Sequence, residues 1–460
     1  MILLRLDAEL LGTWGILKAA VIFPLFLQSA LSVAIFLQTS REAGRTGRLS
    51  EALAISLVFS VFVGAILIVC APYLAAFFRV PVAHIPMAVS AFRISGITFV
   101  IVSLASVFEE TLQAHGRFDI ANLLSTLFSL VNSAGSILLL HKGHQILSLI
   151  TLDLFTNCLF LVAAFILCAR VTKQLPSLFS VRGSGLVSLT KETSAQLVYA
   201  VFVKLLWELD ALIIPRVFGI QRMASYWIGQ RLAYAWKGFL WAGIWPAVPE
   251  AVEDSPETKT RLAQIHWMQV GLAIPIAAAL IYFAAEIIRL WTSQQDVSAI
   301  FVLRMLTVAV LIDFFPATYM SIFFARGKVA LLSRFLLAGV LIKLLIAAAA
   351  WISQDFRLMI SSTVAGAAIF SSVVMFSVCG KNWARWQEML KPAVSPLLAV
   401  ALCMALFSQV VVPGNWVLII GCAAMFLVVS FLLTLFFMQL IFRKSGRDFL
   451  SLFLPGTKEQ

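Results

Sequence analysis

"ETLQAHGRFDIANLLSTLFSL", residues 110–130, and "SIFFARGKVALLSRFLLAGVL", residues 321–341, read as two copies of one junction. Each runs apolar, then Ala-x-Gly-basic, then apolar again. Glycine and a basic residue between apolar segments mark a tight turn in water, on the side of a membrane where positive charge collects. Arg117 maps onto Lys328, an offset of 211 (328 − 117). "GTWGILK", residues 12–18, falls on "ASYWIGQ", residues 224–230, at nearly the same offset. Two distant pairs that agree point to an internal repeat of the kind found in transporters. An even number of apolar spans separates the copies, so the repeats are parallel, related by an axis along the membrane normal.

The rest of the chain supports a lipid setting. Of 460 residues 61% are hydrophobic and 12% charged, and the mean hydropathy is +0.98. Soluble domains are roughly 45–50% apolar and about 25% charged. Apolar runs near the ~20 residues that a bilayer core requires recur from end to end. The alternation of a membrane β-barrel is absent. The expected fold class is therefore all-α and polytopic. About 13 spans are read at 14–38, 52–76, 87–110, 120–140, 146–167, 194–215, 224–247, 266–287, 299–324, 333–352, 358–378, 393–412 and 416–440. One set of alternate loops, with the tail 441–460, holds about 19 of the 34 Lys and Arg and the other set about 7. The richer set is cytoplasmic, which places the C-terminus inside.

Several function classes recede. The net charge of +12 is spread over short loops as a topology signal, so no nucleic-acid partner is expected. Cysteines 70, 158, 168, 379, 403 and 422 lie in or at the ends of apolar runs without a CxxC, and the five histidines show no HExxH. No metal, cofactor or phosphate-binding loop is expected. Catalysis would call for carboxylates or a long extramembrane loop, and the outer loops are very short. No signal peptide is read in residues 1–13, which carry Arg5, Asp7 and Glu9. The Pro-, Gly- and Ser-bearing stretch 168–193 reads as a cytoplasmic linker. It separates an N-terminal half, 1–167, from a second half, 194–378, with two more spans and a tail in 379–460.

Charge inside a span costs about 2.5–3.5 kcal/mol on insertion scales, so such residues face protein or water. Lys18, Arg93, Lys204, Glu208, Asp210, Arg231, Lys237, Arg304, Asp313 and Lys343 are of this kind. They are densest in "YAVFVKLLWELDALIIPRVFG", 199–219, and "YWIGQRLAYAWKGFLWAGIWP", 226–246. Lys204 and Glu208, four apart, share a helix face and can pair. Asp210 points elsewhere. Arg231 and Lys237, among Tyr226, Tyr234, Trp236, Trp241 and Trp245, suit an anionic, sugar-bearing ligand or an interfacial aromatic belt. Arg93 and Lys343 divide between a wet cavity and interhelical bonds. Asp313, three residues before Pro316, suits a bent helix or a simple buried hydrogen bond. Arg304, near the outer end of its span, reads as snorkelling. Asp153 with Asn157 reads as helix packing.

"GTWGILKAAVIFPLFLQSALSVAIFLQTSREAGRTGRLSEALAIS" resembles the second span and following loop of the polysaccharide-biosynthesis flippases. These are the O-antigen repeat-unit flippases of the multidrug/oligosaccharidyl-lipid/polysaccharide (MOP) superfamily. "LQAHGRFDIANLLSTLFSLVNSAGSILLL" is similar to their fourth-to-fifth span junction, and "ELDALIIPRVFGIQRMASYWIGQRLA" to their seventh-to-eighth. The resemblance implies a MATE-like bundle of two six-helix lobes with pseudo-twofold symmetry, plus two C-terminal spans. It implies a cationic cavity and alternating access. The cargo would be an undecaprenyl-pyrophosphate-linked oligosaccharide for O-antigen, capsule or exopolysaccharide synthesis at the bacterial inner membrane. Family members begin with a full first span, and this sequence is expected to lack most of it.

On this reading the chain is no enzyme. Lys204, Arg231, Lys237, Arg93 and Lys18 attract the anionic cargo, and Glu208, Asp210 and Asp313 balance charge or respond to protons or cations. Membrane lipids, a glycan polymerase and a chain-length regulator are the expected partners. The alternatives are a cation-coupled multidrug exporter of the same superfamily, a membrane glycan polymerase or ligase, and a non-transporting scaffold.

Overall fold

The computed structural model describes residues 12–17, 28, 49–78, 80–144, 146–173, 183–242, 244, 255–292, 295–407 and 416–442. Among these, every regular element is helical. The helices are α1 Leu49–Phe77, α2 Ile85–Ala114, α3 Phe118–His141, α4 Ile146–Thr172, α5 Gly183–Val217, α6 Ile220–Ala242 and α7 Pro256–Tyr282. Then follow α8 Ala284–Thr292, α9 Val297–Phe314, α10 Ala317–Ala325, α11 Val329–Ser353, α12 Phe356–Cys379, α13 Trp383–Phe407 and α14 Trp416–Phe442. A short 3₁₀ turn, Val82–His84, leads into α2. Helices are the outcome lipid enforces, because each N–H and C=O must find its partner within the segment. Where helices begin in water, side chains cap them. Asp296 accepts from the amides of Ser298 and Ala299, Asp355 from Arg357 and Leu358, and Ser255 from Thr258.

Ten helical segments among the described residues are long and apolar enough to cross a membrane. They overlap ten of the thirteen expected spans, though the spans expected at 299–324 and 266–287 are interrupted, at Phe315–Pro316 and at Phe283. Of the other three, 194–215 and 224–247 fall on α5 and α6, which carry the dense charge cluster. The third, 14–38, lies mostly outside the described residues. Leu123, Leu127, Leu130 and Leu138 stand exposed along α3, an arrangement that lipid accepts and water does not.

The chain forms two compact units, Met1–Ala224 and Ser225–Gln460. In the first, α1 and α2 meet through glycines. A Cβ on Gly64 would lie 2.8 Å from the carbonyl of Gly96, and the reverse holds at the same distance. In the second, a Cβ on Gly339 of α11 would lie 2.5 Å from the carbonyl of Gly366 in α12. Small residues at such crossings let backbones touch where no aqueous hydrophobic effect drives association. The two C-terminal helices anchor on α7: Phe407 and Phe426 pack with Ala279 and Phe283, and Tyr282 donates to the Phe407 carbonyl at 2.9 Å.

The sequence repeat is present as local structure. Gly116 and Gly327 both adopt left-handed backbone, φ 74° and 68°, which glycine enters without a Cβ clash. Arg117 N–H bonds the Leu112 carbonyl at 3.0 Å, and Lys328 N–H bonds that of Phe323 at 2.8 Å. These are the same helix-closing bonds at the same offset. α3 begins at Phe118 and α11 at Val329, again 211 apart (329 − 118). Their far ends also match: Gly143 and Gln354 have φ 80° and 54°. His144 N–H bonds Leu139 O at 3.0 Å, and Asp355 N–H bonds Ala350 O at 3.1 Å.

The repeat is imperfect where the second unit interrupts its helices: α1 is continuous, whereas its counterpart is divided into α7 and α8 at Phe283. Where the first unit has the continuous helix α2, the second has α9 and α10, interrupted at Phe315–Pro316. Proline has no N–H to offer the Ile312 carbonyl, so the ladder stops. Phe315 N–H still reaches Leu311 O at 3.2 Å, and the ladder resumes with Met320 N–H on Pro316 O at 3.0 Å.

Candidate functional site

In the first unit, Lys204 and Glu208 lie one turn apart on α5, both buried, and Lys204 Nζ donates to Glu208 Oε1 at 3.1 Å. A lysine and a glutamate removed from water are tolerable when each neutralises the other. Asp210 is fully buried on a different face. The pairing read from the i, i+4 spacing is therefore formed. Arg93 on α2 is exposed, flanked by the buried residues Ala91, Phe92 and Ser95. Lys18 lies outside the described residues.

In the second unit, α6 carries Arg231 and Lys237. Arg231 is exposed, on a stripe with Ala235, Gly238 and Phe239, the i, i+4, i+7, i+8 spacing of one helix face. Lys237 turns off that stripe. Its Nζ lies 3.6 Å from Oδ2 of Asp313, a side chain only 5% exposed. Asp313 occupies the last turn of α9, just before the Pro316 break. The structure thus joins Lys237 to Asp313 and leaves Arg231 apart from that pair.

The aromatic residues of α6 divide. Tyr226 is fully buried and its hydroxyl accepts from Gln230 Nε2 at 3.1 Å, a packing role. Trp236 is buried and stacks on Phe239 with ring centroids 6.0 Å apart. Tyr234 and Trp241 are half-buried, and Trp245 lies outside the described residues.

Elsewhere buried polar groups pin helices. Lys343 is fully buried, and its Nζ donates to Thr363 Oγ1 at 2.8 Å, joining α11 to α12. The repeat mate of Lys343 is Asn132 (343 − 211 = 132), whose Nδ2 donates to Asp153 Oδ1 at 2.9 Å and joins α3 to α4. Asn157 also donates to the Asp153 carbonyl, at 2.7 Å, so this polar group acts in packing. The donors share the repeat offset, whereas the acceptors Thr363 and Asp153 stand 210 apart (363 − 153), so the repeat alone does not give both bridges. A third network was not legible: Gln28 Nε2 donates to Ser56 Oγ at 2.9 Å and to the Ser103 carbonyl at 3.1 Å. Single serines and a glutamine in apolar runs carry no spacing signal. Among the described residues no three of His, Cys, Asp and Glu cluster as a metal site requires.

A polytopic helical bundle with a repeated junction and cations set into its helices is a fold that known membrane transporters also adopt. Solved structures of that class share the fold. The lipid II flippase MurJ, in its inward closed conformation, matches with TM-score 0.67 and 12% identity over 96% of this chain and 97% of its own. The MATE transporter VcmN of Vibrio cholerae, in the bent form, matches with TM-score 0.57 and 15% identity over 84% and 95%. A MOP-superfamily transporter from Pyrococcus furiosus, described as having a binding pocket of reverse polarity, matches with TM-score 0.53 and 17% identity over 84% and 97%. No curated protein matches the sequence. The chain belongs to the polysaccharide biosynthesis protein family, whose model matches residues 15–300.

Proposed function

We propose that the chain is a flippase that carries an undecaprenyl-pyrophosphate-linked oligosaccharide from the cytoplasmic to the outer leaflet of a bacterial inner membrane, by alternating access. The observation that carries this reading is Arg231, an exposed guanidinium at mid-length of α6 in a protein of polysaccharide biosynthesis. A charge at that depth is stable only against water or an anion, and the pyrophosphate of such a lipid is the anion at hand. Lys204, Lys237, Arg93 and Lys18 add to the positive field. Asp313 holds Lys237 until cargo competes for it, and Glu208 and Asp210 balance Lys204. The lobes are assigned to 1–167 and 194–378, joined by 168–193 and followed by the two spans of 379–460. The C-terminus is cytoplasmic, and the partners are a glycan polymerase and a chain-length regulator.

A cation-coupled exporter of cationic drugs fits less well, because it calls for acidic walls and the exposed intramembrane charges at Arg93 and Arg231 are basic. The test is surface-glycan export in a strain complemented with Arg231→Ala/Lys237→Ala. Export is expected to fall to the level of the empty vector with the protein still in the membrane. Undiminished export at normal protein level would remove the assignment.

A further inference from the structure

Arg93 has a counterpart that its sequence position disguised. It lies 23 residues before the turn glycine Gly116, and Arg304 lies 23 residues before Gly327 (116 − 93 = 327 − 304 = 23). The match extends to the surroundings. Along α2, Ala91 and Phe92 are buried, Arg93 exposed, Ile94 half-buried, Ser95 and Gly96 buried. Along α9, Val302 and Leu303 are buried, Arg304 exposed, Met305 half-buried, Leu306 and Thr307 buried. The next turn repeats the agreement, with Thr98 and Phe99 buried in one helix and Ala309 and Val310 in the other.

Both arginines sit on helices whose rotation is fixed by glycine contacts. Gly96 touches Gly64, so α2 cannot rotate without driving backbone into α1. On α9, Gly229 of α6 sits against Val302 and Leu303; a Cβ there would lie 2.8 Å from the Leu303 nitrogen. In addition, Ser225 Oγ donates to Asp296 Oδ2 at 2.6 Å. Two different glycine contacts therefore yield the same setting. Arg304 keeps one bond, Nε to the Ile281 carbonyl at 3.1 Å, which fixes the stem. Counting from the helix starts at Ile85 and Val297, the two arginines stand about 12 Å and 10 Å along their helices at 1.5 Å per residue. A duplicated chain diverges freely where nothing constrains it. Keeping the residue that lipid tolerates least, at one register in both units, argues for the same ligand chemistry at each.

We infer that Arg304 is a cargo-contacting residue of the second unit, one that binds the phosphate groups of an isoprenoid diphosphate, as Arg93 is proposed to do in the first. Arg304 is then more than a residue snorkelling to the surface. A guanidinium presents its donors in a planar fork that matches phosphate oxygens two at a time, which lysine does not. The inference rests on the flippase reading and adds a residue to it.

The test titrates purified full-length protein in detergent with farnesyl diphosphate, farnesol and phosphatidylglycerol, read by native mass spectrometry. Arg93→Ala and Arg304→Ala should each weaken farnesyl diphosphate binding about tenfold, as loss of a charge-assisted contact requires. Farnesol binding should be unchanged, and Arg304→Lys should recover only part of the loss. Arg304→Gln, closer in length, replaces Arg304→Ala if the latter shifts the thermal midpoint. Binding by the Arg304 variants at wild-type strength, with Arg93→Ala weakened, overturns the equivalence while leaving the flippase reading intact. An equal loss for phosphatidylglycerol assigns Arg304 to bilayer headgroups and overturns it as well. Wild-type protein that binds no farnesyl diphosphate sinks both this inference and the reading beneath it.

Discussion

Lys204 and Glu208 show what a single buried charge costs in this protein. Their 3.1 Å pair is almost wholly removed from solvent, so each is tolerated because of the other. Lys204→Met should lower the unfolding free energy by up to about 3–5 kcal/mol, because it removes the cation beside a buried carboxylate. Lys204→Met/Glu208→Gln should recover most of that loss, measured as thermal midpoints in detergent. Equal midpoints for the single and double variants would show that the pair is not what stabilises this turn of α5. Gly327 makes a similar point for the backbone. Gly327→Ala, at φ 68°, should cost about 1–2 kcal/mol. Both effects were legible in the sequence: the first from i, i+4 spacing, the second from glycine before a basic residue. The partnership of Lys237 with Asp313 was not, since 76 residues separate them (313 − 237) and only packing of α6 with α9 brings them within 3.6 Å.

At the scale of elements, the informative contrast is between α2 and the broken pair α9–α10. The position equivalent to Pro316 is Ala105, and there the helix runs on. The break places buried Asp313 at a helix end, next to a carbonyl that Pro316 cannot satisfy. On the face of α7, His266 bonds the Met389 carbonyl at 3.1 Å and packs edge-on against Phe315 and Tyr319. Thr318 Oγ1 donates to Gln269 Oε1 at 2.6 Å. The interruption is therefore clasped by α7, and α7 in turn by α13. Pro316→Ala should allow a continuous helix, raise the thermal midpoint and reduce glycan export. Export at wild-type rate would show that the break has no part in transport. The helix-on-helix glycine contacts set a second limit. Gly96→Leu has no room against Gly64, and overpacking of about 1–3 kcal/mol or more should appear as a lower midpoint and less folded protein.

For the whole molecule, the repeat gives the topological expectation. Arg117 and Lys328 occupy equivalent turns, each after a left-handed glycine. With an even number of expected spans between them, they are expected on one side of the membrane, the side that loop charge reads as cytoplasmic. In a cysteine-free background, Arg117→Cys and Lys328→Cys should both resist a membrane-impermeant maleimide in intact spheroplasts and react after lysis. Labelling of only one before lysis would contradict parallel repeats. A fluorescent protein fused after Gln460 should be bright, as a cytoplasmic C-terminus requires.

The sequence by itself determined that this chain lives in lipid, where ten of its thirteen expected spans fall and where its repeat lies. Apolar length, turn glycines and loop charge are local properties, and the bilayer leaves the backbone no alternative to helix. Only the tertiary structure decided which charges are buried, paired or exposed. Burial depends on how a helix is rotated, and rotation is set by glycine contacts such as Gly64 with Gly96 and Gly229 with Val302, between residues far apart in the chain. That is why Arg93 and Arg304, dissimilar in their sequence surroundings, share one pattern of burial along their helices.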